Sequence, residues 1–233
     1  MPQLAAADLL ALWEQGQARH PIDRALLLFA AARPELPADG LADLPLGQRN
    51  HALLQLRQRM FGPRMAAYVG CPGCGERLEL ALQTDMFLSH DAAPGPDAQI
   101  EVGGLQFRPP TSRDLASTLD QVDVESAARH LLERCCISRP DEAVLHELMT
   151  QVEAGLEALD PCADIELALT CRVCDHAWAA PFDIGSVLWD EIDARARVLL
   201  GEVHALARAY GWREQDILGL SEHRRAAYLG MAA

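Results

Sequence analysis

The residues best placed to do chemistry are cysteines. Seven occur, at positions 71, 74, 135, 136, 162, 171 and 174, and four of them form two CxxC pairs, Cys71 with Cys74 and Cys171 with Cys174. A tetrahedral zinc ion takes four ligands with sulfur at about 2.3 Å, and each CxxC turn can offer two thiolates from one tight knuckle. Gly75 follows Cys74, where a positive φ lets the backbone turn back and aim its amides at the thiolates. Asp175 holds the matching place after Cys174, and it adopts that conformation less readily than glycine but more readily than most residues. One zinc per chain shared by Cys71, Cys74, Cys171 and Cys174 would close the coordination shell, leave no position for a catalytic water, and so be structural.

Two other chemistries use the same ligands. An iron centre of rubredoxin type needs the same four thiolates. A pair of redox dithiols is the other, but a redox CxxC is expected at the N-terminus of a helix that follows a strand, where the dipole lowers the thiol pKa. Both pairs here run on into alternating, strand-like residues. His176 is expected beside the site rather than among its ligands, with Trp178 covering it. Cys135 and Cys136, on a helical stretch, and Cys162, beside a helix end, read as buried structural thiols.

The elements that must position the knuckles are legible from periodicity. Residues 65–69 and 77–82 alternate around the first pair, and residues 165–170 and 177–182 alternate around the second, so a strand, knuckle, strand unit occurs twice. The knuckles are 96 residues apart, against roughly 15 to 20 in a compact ribbon. An intervening segment must therefore leave and re-enter at nearby points. Closing so long a loop costs entropy that grows only with the logarithm of its length, whereas zinc binding in finger peptides is worth on the order of 10 kcal/mol.

Around these units the chain reads as helix. Helices are expected at 4–14, 23–32 and 48–61, separated by His20-Pro21, the breaker cluster at 34–40 and Pro45. The segment between the knuckles opens with DAAPGPDA, forms a hairpin around Gly103-Gly104, and continues into helices starting near Thr111 and spanning 124–136 and 141–159, the last stopped by Asp160-Pro161. Asp183 caps a long helix whose apolar positions step by three, four or seven to Tyr210, where Gly211 ends it; a short helical pair with Ser221 at its joint follows. Tyr210, Trp212 and Tyr228 with Ile217 and Leu218 read as local core. The expected class is α+β, mostly α-helical, with a small split zinc-ribbon β element. It divides into an N-terminal helical region (1–62), a first knuckle hairpin (63–88), an acidic helical insertion (89–164), a second knuckle hairpin (165–182) and a C-terminal helical region (183–233).

Composition narrows the function classes. The chain has 233 residues, 50% of them hydrophobic and 23% charged, enough for an ordinary buried core. All 20 of its basic residues are arginine, so chemistry that needs a lysine is excluded. The net charge is −14, and residues 89–170 alone hold 5 arginines against 16 acidic residues. That balance opposes the basic footprint of phosphate binding and argues against a zinc-ribbon nucleic-acid adaptor. No apolar run reaches the roughly 20 residues of a membrane-spanning helix, and the N-terminus lacks a positive leader region, so a soluble, cytoplasmic protein without membrane contact is expected. No GxGxxG, Walker-type, HExxH or GxSxG motif occurs, and the expectation is a protein that is not an enzyme.

Taken together, LLALWEQGQARHPIDRALLLFAAA, PLGQRNHALLQLRQRMFGPR, the knuckle CPGCGERLEL, FRPPTSRDLA, the knuckle CRVCDHAWAAPFDIGSVLWDEI and the ending ARAYGWREQDILGLSEHRRAAYLGM resemble the baseplate hub assembly chaperone and baseplate-associated proteins of contractile phage tails and related bacterial contractile injection systems. The resemblance covers most of the chain. It implies a non-enzymatic accessory protein that binds baseplate or hub subunits, can be incorporated in a phage-like particle, and uses Cys71, Cys74, Cys171 and Cys174 as zinc ligands. Asp175 departs from the glycine typical of such knuckles.

Overall fold

The computed structural model describes residues 5–88, 94–138 and 142–232. The chain is built on a long helix, α8 (Ile184–Tyr210), whose residues Ile184, Leu188, Ile192, Ala196, Leu199 and Leu206 are all almost completely buried. That stripe follows the helical repeat, and the predicted signals bound it: the Asp183 carboxylate accepts from the Gly185 amide, and Gly211 stops the helix with φ 68°. Truncating Leu188, with no exposed surface, to alanine would cost about 2–5 kcal/mol.

Three N-terminal helices pack on α8: α1 (Ala6–Gly16), α2 (Pro21–Ala32) and α3 (Leu46–Phe61). Their buried residues Leu9, Leu12, Leu28, Phe29, Leu53 and Leu54 share one core with α8. Polar ties fix the arrangement, since Trp13 Nε1 donates to Asp193 Oδ1 at 2.7 Å and the buried Arg57 guanidinium grips Glu191 at 2.6 and 2.9 Å. The second helix starts two residues before its expected position, because Pro21 is accommodated in the first turn and His20 Nδ1 accepts from the Ile22 amide. A short 3-10 helix (Ala38–Asp43) forms inside the expected breaker cluster.

Two hairpins rise from this body. Strands β1 (Arg64–Gly70) and β2 (Arg77–Gln83) pair antiparallel, and β2 leads into the short α4 (Asp85–Leu88). After the intervening segment, β5 (Glu166–Thr170) pairs antiparallel with β6 (Ala177–Pro181), as a separate sheet. Met65 and Leu82 at the base of one hairpin, and Ile165 and Phe182 at the base of the other, belong to the main core.

The intervening segment contains a hairpin of β3 (Ile100–Val102) and β4 (Leu105–Phe107), then α5 (Ser112–Ser117), α6 (Val124–Cys135) and α7 (Glu142–Leu159). Both turn glycines, 103 and 104, have positive φ as a two-residue turn requires. The segment has its own small core of Phe107, Leu132, Cys135, Leu145, Val152 and Leu156. The buried Asp114 holds it together by closing a capping box with Thr111 and accepting from Arg108 and Arg134. Burial alone would push the Asp114 carboxyl up, but the guanidinium of Arg108 and the donors of Thr111 hold it below its ordinary value. The expected start of α7 at residue 141 lies outside the described residues.

The segment docks on the first turn of α3, which has no side-chain cap of its own. Its otherwise orphaned amides are met from a distance: Leu46 N donates to Pro110 O at 2.9 Å and Gly47 N to Asp160 Oδ2 at 2.9 Å. Nearby, Asn50 Nδ2 donates to Cys162 O at 2.8 Å and Arg49 Nη1 to Ser112 Oγ at 3.0 Å. Burial raises the Asp160 carboxyl, opposed by the Gly47 amide.

At the C-terminus, α9 (Glu214–Leu218) and α10 (Glu222–Ala232) fold back on α8. Buried Arg225 donates to Glu202 Oε2 at 2.7 Å and to Leu220 O at 2.6 Å. Ile217 is fully buried as expected, whereas the rings of Tyr210, Trp212 and Tyr228 pack on one another, Tyr210 stacked on Trp212 and Tyr228 edge-on to both, 4.7 to 5.9 Å between centroids, and stay partly exposed. Among the described residues no helix is long and apolar enough to cross a membrane.

Candidate metal centre

The hairpins exist to present two loops. In the first, the Cys71 amide donates to Glu76 O at 2.8 Å and the Gly75 amide to Cys71 O at 2.8 Å. In the second, the Cys171 amide donates to His176 O at 2.9 Å and the Asp175 amide to Cys171 O at 3.0 Å. The two loops thus repeat one hydrogen-bond pattern, residue for residue. The residue after each second cysteine has positive φ, 76° at Gly75 and 55° at Asp175, and Asp175 is the only such non-glycine residue among those described.

The loops meet tip to tip. Cys71 Sγ lies 3.6 Å from Cys174 Sγ, and Cys74 Sγ lies 3.7 Å from Cys171 Sγ; all four sulfurs fall within 4.8 Å of one another. These separations are too long for disulfides, whose sulfurs sit about 2.0 Å apart. They match the edge of about 3.8 Å of a tetrahedron whose corners lie about 2.3 Å from a central ion. The donor set, four sulfurs within 4.8 Å of one another, could hold a metal ion. In each loop the first cysteine is buried and the second is exposed, so the sulfurs bridge between the hairpin interior and the surface.

Electrostatics also favour a cation. The Val173 amide, donating to Cys171 Sγ at 3.4 Å, and the Cys174 amide lower the Cys171 thiol to about 7. At Cys174 the His176 amide pulls in the same direction, but the crowding sulfurs of Cys74, Cys71 and Cys171 outweigh it and push that thiol up to about 12. Four neighbouring sulfurs cannot all ionise against one another, and a divalent ion removes the conflict.

The structure brings together all four cysteines singled out from the sequence and separates the other three. Cys135 has no exposed surface and burial pushes its thiol up to about 12, Cys162 is buried and likewise raised by burial, and Cys136 is half-buried. His176 is not among the clustered donors; its ring stacks on Trp178, 5.9 Å between centroids. The knuckles are each followed by a strand, not a helix, which removes the dipole that activates a redox CxxC.

One close approach escaped the sequence. A Cβ added at Gly73 would lie 3.2 Å from His176 Cβ and 3.5 Å from Cys174 Sγ, so the first loop presses closely on the second at position 73, and a side chain there would require His176 to give way by a few tenths of an ångström. No protein-family model, curated protein or solved structure matches the chain.

Proposed function

We propose that the four cysteines hold one structural zinc ion, and that the protein is a non-enzymatic assembly factor or accessory component for the baseplate or hub of a contractile phage tail or injection system. The observation that carries the first half is the convergence of two CxxC loops, 96 residues apart in sequence, on a single set of sulfurs. A closed four-sulfur shell suits a scaffold rather than a reaction centre. By tying the tips of two hairpins whose bases sit in the main core, the ion joins the stretches of chain on either side of the segment between them. The surfaces so fixed would then be offered to partner subunits. The baseplate assignment rests on the sequence resemblance described above, and the strongly acidic segment favours protein partners over nucleic acid.

Two measurements test this reading. Elemental analysis of purified protein should find about one zinc per chain, with the four thiols unreactive until a chelator is added; bound iron would replace the ion and leave the scaffold, and no metal would remove both. Tagged protein expressed with its own gene cluster should retain tail or baseplate subunits, and salt-dependent retention on DNA or RNA in their place would overturn the assignment.

A further inference from the structure

The hydrogen-bond phase of the second hairpin leaves one strand edge open. Phe182 N donates to Ile165 O at 2.8 Å and Cys171 N to His176 O at 2.9 Å, and the register pairs Leu167 with Ala180 and Leu169 with Trp178. Because bonded pairs alternate along an antiparallel ladder, the odd-numbered residues of β5 bond to β6. The backbone groups of Glu166, Ala168 and Thr170 therefore point away from the hairpin. Among the described residues none of them has a backbone partner. The outer edge of β6 is interrupted by Pro181, a usual way of blunting an edge. The β5 edge has no proline.

That edge borders a groove of about 920 Å³ between the second hairpin and the intervening segment, lined by every residue from Ala163 to Leu169. A strand of that length runs about 23 Å. The floor is apolar, with Leu82, Phe87, Leu132 and Leu156 among its buried side chains. The lining holds five carboxylates and no basic side chain. Four of them, Glu153, Glu157, Asp164 and Glu166, are exposed and form no ion pair among the described residues.

We propose that the β5 edge and its acidic groove bind an extended segment of a protein partner, added as a third strand, whose apolar side chains alternate with arginine or lysine. The open amides and carbonyls select an extended backbone, the apolar floor takes one face of it, and the carboxylates take the other. A helix would leave the edge unpaired, and an acidic segment would meet four exposed carboxylates of like charge. This deepens the reading of the chain as a protein-binding scaffold. It fails separately from that reading, because zinc content and baseplate retention do not depend on which surface is used.

The probe is a fluorescein-labelled heptapeptide alternating arginine and valine, titrated into the metal-loaded full chain by fluorescence anisotropy at low and moderate salt. Saturable binding is expected. Ala168→Pro removes one outward amide and leaves the β5–β6 ladder intact, and it should weaken binding at least about tenfold. The double variant Glu157→Gln/Glu166→Gln should weaken it about threefold or more and flatten its salt dependence. In the unaltered chain, bound peptide should slow hydrogen exchange at Glu166, Ala168 and Thr170 and leave Leu167 and Leu169 nearly unchanged, a readout that stands even if the proline variant misfolds. No saturable binding, equal binding by a correctly folded Ala168→Pro chain, unchanged exchange at the three amides, or equal affinity for a peptide with proline replacing each valine would overturn the proposal.

Discussion

The two knuckles are built alike by their backbones and unlike by their side chains. Each first cysteine is buried and each second one exposed, and matched amides donate to matched carbonyls. Yet Pro72, Gly73, Gly75 and Glu76 of the first loop face Arg172, Val173, Asp175 and His176 of the second. What the loops share is what the sulfurs require: a tight turn, a left-handed residue after the second cysteine, and a strand on either side. What they do not share lies where nothing is demanded. Val173 is 69% exposed, whereas its counterpart Gly73 sits against the opposite loop. The symmetry of the site is therefore one of hydrogen bonds and ligands, broken where one loop leans on the other.

Replacing ligands should reveal the symmetric part and give the largest effects. Cys71→Ser and Cys171→Ser are expected to abolish metal binding equally, forfeiting a binding free energy whose scale in zinc fingers is on the order of 10 kcal/mol. Elemental analysis and thermal melting read this, and a variant that keeps its metal would show the loops to be unequal. Chelation of the unaltered chain comes next. Two-stranded hairpins are marginal alone, so hydrogen exchange should rise at the knuckles and the strand ends beside them. It should stay slow around Met65, Leu82 and Phe182, which the main core holds.

Smaller effects should expose the asymmetry. Gly73→Val pushes a branched side chain against His176 and is expected to cost about 1–3 kcal/mol in urea unfolding, while Val173→Gly changes stability by less than about 1 kcal/mol. Equal costs at the two positions would mean that the loops do not press together as described. The smallest difference concerns the left-handed residues. Gly75→Ala should cost about 1–2 kcal/mol, Gly75→Asp less than that, and Asp175→Gly only about a few tenths.

The comparison also marks what a sequence can disclose. Cys71, Cys74, Cys171 and Cys174 stand out because their spacing is local and their chemistry allows few uses, and the strands around them are legible from two-residue alternation. Asp183 and Gly211, which bound α8, are equally local signals. Contacts made across the chain left no such trace. Nothing near Asp160 announces that its carboxylate meets the Gly47 amide, 113 positions away, or that Arg49 and Asn50 receive the intervening segment at the start of α3. The 3-10 helix and α4 are too short for periodicity to register. The open edge of β5 depends on hydrogen-bond phase, which residue types alone do not encode.

The sulfur cluster also sets how load would travel through the molecule. Tension between the N-terminal helices and α8 passes through their shared core and, with an ion in place, across the metal as well, so the residues between the knuckles form a side loop carrying little of it. A protease cut within that loop should leave both ends of the chain tethered, by the shared core of α1–α3 and α8 as well as by the ion. Lengthening the loop should likewise leave the spacing between the two hairpin tips unchanged.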